Sequence, residues 1–112
     1  MAASQLDSGT TAALTLGTET FLGTDPQLTD GVFQFFVEVT NMARIDRLVI
    51  RLYEKVNDTG DTARKFAEWV LTNQQSDGLW VSPSFMLLFG WRFSLEQTAG
   101  TGRAFQWSIR QA

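Results

Sequence analysis

The chain has 112 residues, a formal charge of −3 from nine Lys or Arg against twelve Asp or Glu, and neither Cys nor His. That length suits one domain, which buries roughly two-thirds of its unfolded surface and folds without staples. Lacking Cys and His, it is excluded from disulfides, the usual structural zinc sites, Cys or His nucleophile–base pairs and haem ligation by His, and its pI near 4.7 with scattered basic residues is not that of a nucleic-acid binder, which clusters Lys and Arg against phosphate.

Residues 1–11 are mostly small and polar apart from Met1 and Leu6, and they predict a mobile N-terminal arm, idle or gripping a partner, ahead of a domain over residues 12–112. No charged segment followed by an apolar one opens the chain, and the longest purely apolar run, residues 85–89, is too short to span a bilayer. A soluble protein without a classical secretion signal or membrane partner is expected. Ala12, Leu14 and Leu16 alternate with Ala13 and Thr15, and the Thr-rich residues 18–22 continue beyond Gly17, which predicts a kinked or bulged strand.

Residues 32–39 predict a strong strand with Phe33, Phe35, Val37 and Val39 on one face. Residues 47–56 predict a second, with Leu48, Ile50, Leu52 and Val56 opposite Arg47, Arg51 and Lys55. The run Asn57-Asp58-Thr59-Gly60-Asp61 is a turn by composition. Residues 62–73 read two ways. Phe66, Trp69 and Val70 have the i, i+3, i+4 spacing of a short helix, but every neighbouring element is a strand, and the strand reading is preferred. After the turn at Gln75-Ser76-Asp77-Gly78 come the short apolar runs 79–81 and 85–89, separated by Pro83. Finally Trp91, Phe93 and Leu95 alternate with polar residues, as do Phe105, Trp107 and Ile109. The stretch between them contains Gly100 and Gly102, so the two runs predict a hairpin.

Strands with one apolar face need a second layer over that face. The expected fold is therefore all-β, a single-domain antiparallel β-sandwich of jelly-roll type with about seven or eight strands, a short helix at 62–73 being the alternative there. Chemistry finds no foothold. Asp58, Asp61, Glu68 and Asp77 do not follow an EF-hand spacing and read as turn and solvent residues. Gly100-Thr101-Gly102 joins two strands and is not a phosphate loop. No catalytic, cofactor or metal residue is assigned. The candidates for a partner interface are Trp80, beside Gly78 and Pro83; Phe85, Leu87 and Phe89, from a run apolar on both faces; and Leu6 in the arm. Trp91 and Trp107 fall on the inward alternation and are expected in the core.

The wording Asp7-Ser8-Gly9-Thr10-Thr11-Ala12-Ala13-Leu14-Thr15-Leu16-Gly17-Thr18-Glu19, the opening Gly31-Val32-Phe33-Gln34, and above all Leu95-Glu96-Gln97-Thr98-Ala99-Gly100-Thr101-Gly102-Arg103-Ala104-Phe105-Gln106-Trp107 resemble small virion proteins of tailed bacteriophages that act as capsid cement or decoration subunits. Residues 62–73 depart from that style. The resemblance implies a non-enzymatic role without cofactors. Its partners would be the major capsid protein and further copies of the chain in a homo-oligomer, a trimer being one option. The chain would be made in the host cytoplasm and would sit on the outer surface of the virion, bracing the head against internal pressure. A tail or head–tail connector role is close to this reading. The other class is a glycan- or receptor-binding module, in which Trp80 and Tyr53 would stack on a sugar. A lattice binder should expose broad apolar surface, whereas a glycan binder should offer a concave polar and aromatic pocket.

Overall fold

Period-two alternation gives each strand one apolar side, and the chain buries those sides by facing two sheets together. The computed structural model describes residues 4–57 and 60–112, among which there are nine strands and no helix. They are β1 (Ser4–Thr10), β2 (Thr20–Phe21), β3 (Gly31–Glu38), β4 (Arg47–Glu54), β5 (Arg64–Thr72), β6 (Leu79–Val81), β7 (Phe85–Leu87), β8 (Arg92–Ala99) and β9 (Gln106–Gln111). One sheet has the order β1-β9-β3-β6, with β7 also on β3; the other has the order β2-β8-β4-β5. Every pairing is antiparallel.

Strands β6 and β7 pair with opposite ends of β3, at residues 36–38 and 31–33, and act together as one edge strand interrupted around Pro83, where a missing amide cannot extend the ladder. Counted that way, the chain forms four antiparallel pairs, β1–β9, β2–β8, β3–β6/β7 and β4–β5, distributed alternately over the two sheets. This is the strand order of a jelly roll.

Large side chains fill the space between the sheets. Phe33, Phe35 and Val37 from β3 meet Leu48, Ile50 and Leu52 from β4, Phe93 and Leu95 from β8, and Trp107 and Ile109 from β9, all buried. Trp91 is fully buried, 4.7 Å from the Phe33 ring and 5.7 Å from Phe35, and its indole N–H donates to the Thr29 carbonyl at 2.9 Å, so its one polar atom is satisfied in the core. The expected core positions of Trp91 and Trp107 are thus occupied.

Several expectations are corrected. The predicted hairpin is an arch: β8 pairs with β2 and β4 in one sheet, while β9 pairs with β1 and β3 in the other. Two amphipathic strands can bury their apolar faces against each other across a core as well as side by side, and here two buried polar side chains hold the crossing loop. Gln97 donates to the carbonyls of Ala99 (3.2 Å) and Thr101 (2.6 Å) and accepts from the Arg103 amide. Asp46 accepts from the Thr101 amide and from Arg103 Nε at 2.6 Å. Gly100, at φ 90, lies against Asp46, where any Cβ would collide.

The N-terminal segment is a strand rather than a mobile arm over residues 4–10. It pairs with β9, with a register shift between Gln5 and Asp7, and the Asp7 carboxylate accepts from the Thr24 amide. A free sheet edge gives even a polar segment its backbone partners. Residues 1–3 of the expected arm, and Asp58 and Thr59 of the expected turn, lie outside the described residues. Residues 12–16 form no strand. The Leu14 amide donates to the Arg103 carbonyl and the Leu14 side chain is buried, so this segment packs onto the arch. Strand β4 ends at Glu54, which leaves Val56 exposed. The ambiguous 62–73 is β5: Ala67, Trp69 and Leu71 point half-buried toward the core while Phe66, Glu68 and Val70 are exposed, a period of two that overrides the helical spacing.

Candidate functional site

The residues proposed from sequence for a partner interface divide between core and seam. Leu87 is only 1% exposed and belongs to the core, so it cannot meet a partner in this fold. Trp80, Phe85 and Leu6 are half-buried and pack on the core, and Phe89 is half-buried in the β7–β8 connection, where Glu54 accepts from the Leu88 amide at 2.6 Å. Registers explain this. Trp80 lies opposite Val37, Phe85 opposite Phe33 and Leu87 opposite Gly31, all on the inward side of the sheet.

Their outward neighbours are the accessible ones. Leu79 and Val81 on β6, Met86 on β7, Leu88 just after it, and Phe66 and Val70 on β5 are all exposed, Met86 at 82%. These residues surround the seam where the sandwich is open, between β5 and β6–β7. There Trp69 meets Trp80 (ring centroids 5.0 Å) and Phe85 (5.9 Å), and Phe85 meets Phe66 (5.5 Å). The result is an apolar edge over an aromatic seam. The same alternation that picked the inward set, shifted by one residue, identifies this outward set.

The outer face of the β2-β8-β4-β5 sheet is closed over by its own side chains. Arg51 bonds Glu96 at 2.6 Å and Glu68 at 2.8 Å and lies 3.5 Å from Glu19. Glu19, carried over this face by the β1–β2 connection, also accepts from Tyr53 Oη at 2.6 Å and from Ser94 Oγ at 2.5 Å. Burial alone would raise the Glu19 carboxyl, but the hydroxyls of Ser94 and Tyr53 and the Arg51 charge outweigh it and hold the group below its ordinary value. Burial, followed by the bond to Glu19, pushes Tyr53 up to about 12. Arg92 adds a two-pronged pair with Asp25 (2.6 and 2.9 Å) while stacking over Phe21. Val49 and Ser94 face outward on this sheet and are nevertheless buried.

The other outer face is open. A shallow depression of about 360 Å³ lies across β1, β9 and β3. In register, Ser8, Ser108 and Phe36 form its middle row, with Thr10 and Gln106 on one side and Gln5 and Arg110 on the other; Glu38 and Leu79 form the far wall. The short serines make the floor low between longer neighbours. The Arg110 guanidinium lies over Phe36, its central carbon 3.8 Å from the ring centroid. Tyr53 and Trp80 do not meet here or elsewhere: Tyr53 is engaged by Glu19 on the opposite sheet and Trp80 points into the seam.

No group of three or more His, Cys, Asp or Glu gathers among the described residues in a way that could hold a metal ion. Asp61, one of the acids considered for calcium, accepts from the amides of Val56, Asn57 and Thr62 instead. No helix long and apolar enough to cross a membrane occurs among the described residues. No family model, curated protein or solved structure matches the chain.

Proposed function

We propose that the chain is a non-enzymatic structural protein of a tailed-phage virion that binds the outside of the assembled capsid lattice through its β5–β6–β7 edge and braces the head. The observation that carries this reading is the exposure of Phe66, Val70, Leu79, Val81, Met86 and Leu88 on β5, β6 and β7 and just after β7, the edge strands flanking the open side of the sandwich, with Val70 on the outer face of one sheet and Leu79, Val81 and Met86 on that of the other. Apolar surface concentrated in this way is a contact surface in want of a cover, since each Å² removed from water contributes about 25 cal/mol. The resemblance of residues 95–107 to cement and decoration proteins supplies the partner, the major capsid protein. A repeating lattice turns a modest single contact into firm attachment, because copies joined as a symmetric oligomer bind together.

Purified protein co-sedimented with undecorated heads tests the proposal by counting bound copies. Saturable binding at many copies per head, with the heads gaining resistance to heat, is expected. Binding at a few copies would shift the role to a vertex, connector or tail, and no binding would overturn the reading.

A further inference from the structure

We propose that the depression on the β1–β9–β3 face is a binding site for neutral carbohydrate. This inference does not rest on the lattice reading: the depression shares only Leu79 with the apolar edge, and its free polar groups lie on β1 and β9. Four side chains around it, Thr10, Gln106, Ser108 and Arg110, have no side-chain hydrogen bond or ion pair with any described residue. On the opposite face the polar groups are spent on one another, so the contrast lies within one molecule.

The chemistry of the free groups selects the ligand. β9 and β3 are paired on both sides and β1 has a free side only at the outer edge of the sheet, so a peptide strand could join in plane beyond β1 but would find no ladder over the depression itself. The two charges at the rim, Arg110 and Glu38, cancel, and the clustered cations that a phosphate or sulfate chain requires are missing among these lining residues. What remains is an amide and two hydroxyls, which both donate and accept, and a guanidinium, which donates, set beside the apolar surfaces of Phe36 and Leu79. A pyranose ring offers the complement, vicinal hydroxyls that donate and accept around its rim and a C–H face for an apolar platform. The Arg110 guanidinium is held over the Phe36 ring, 3.8 Å from its centroid, with no described acceptor for its N–H groups, which leaves them for the hydroxyls of a bound ring. A shallow, open site of this kind fits one or two sugar units with affinity in the millimolar range, strengthened by repetition over many copies.

The test is a heteronuclear NMR titration of the whole chain with the methyl glycosides of glucose, galactose and mannose and with N-acetylglucosamine, sodium sulfate serving as the anion probe. At least one sugar should give saturable shifts at the amides of Gly9, Gln106 and Ser108. Gln106→Ala should abolish them without altering the melting temperature, and Glu96→Gln on the opposite face should leave them intact. Shifts with sulfate alone, saturable sugar shifts confined to the β5–β7 edge, or no saturable shift with any of the four sugars would each overturn the assignment.

Discussion

The two outer faces of this sandwich arise from the same alternation of residues and end in opposite states. Over β2-β8-β4-β5, one arginine gathers three carboxylates, a tyrosine and a serine join through Glu19, and even outward-facing Val49 is covered. Over β1-β9-β3-β6, Arg110 rests on a phenylalanine without an acidic partner, hydroxyls and an amide face solvent unpaired, and Met86 stands almost fully exposed at the edge. The difference shows that polarity alone does not mark a working surface. What matters is whether the polar groups have already consumed one another's hydrogen-bonding capacity. The closed face ties its polar groups to one another, whereas the open face and its apolar edge leave theirs exposed, which is why the proposed contacts are placed there.

Substitutions and pH changes should separate the two faces in a graded way. The largest effect lies beneath both: Trp107→Ala removes a buried ring from the core and should cost about 3–5 kcal/mol in urea denaturation. Next comes Arg51→Ala, which leaves Glu19, Glu68 and Glu96 close together without their shared cation and should cost about 1–3 kcal/mol. A neutral result there would remove the distinction between a closed and an open face.

The alkaline pH dependence should come from the closed face, and the acid dependence from that face together with Asp46 in the arch and Asp61 in the turn after β4, both also held below their ordinary values by hydrogen bonds. Glu19 and Glu68 are held below their ordinary value of 4.5, Glu68 chiefly by its bonds to Arg51 and Lys65. Depressed carboxyls favour the fold while ionised, so their contribution is complete above 4.5 and is lost as the pH falls through the lower folded values. Tyr53 behaves in the opposite sense. Raised from 10.0 to about 12, it favours the fold while protonated, and its contribution is lost as the pH climbs through that interval. Melting temperatures recorded across both ranges should show the two losses, and Tyr53→Phe should erase the alkaline one.

The smallest stability effects belong to the open face. Arg110→Ala and Met86→Glu should each change stability by less than about 0.5 kcal/mol. Met86→Glu should nevertheless weaken head binding by more than about tenfold in the co-sedimentation assay, because it buries a charge in the proposed contact. If both variants destabilise the fold as Arg51→Ala does, the faces are alike and the comparison fails.

Much of the architecture was legible because burial imposes alternation: β3, β4, β8 and β9 and the core positions of Trp91 and Trp107 follow from spacing. The partner of each strand was not legible. Residues 91–95 and 105–109 carry the same pattern whether they pair in a hairpin or face each other across a core, and the choice is fixed by Asp46, some fifty residues before the loop it holds. Strand β1 was hidden for a related reason, since its seven mostly polar residues gain order from the edge of β9 rather than from their own side chains. The interface residues expected from sequence lie in the same segments as the exposed apolar residues, but on their inward side. Trp80, Phe85 and Leu87 point inward, and the register that sends Leu79, Val81 and Met86 outward depends on pairing with β3, which spacing within 79–89 cannot reveal.

The most direct test of the proposed contact is amide hydrogen exchange of the free protein and of the protein saturating undecorated heads. The β5–β6–β7 edge as lattice contact requires new protection at residues 64–72 and 79–88, with β1 and β2 unchanged. Protection confined to β1, β2 or the Arg51 face, with the β5–β7 edge exchanging as in the free protein, would contradict it.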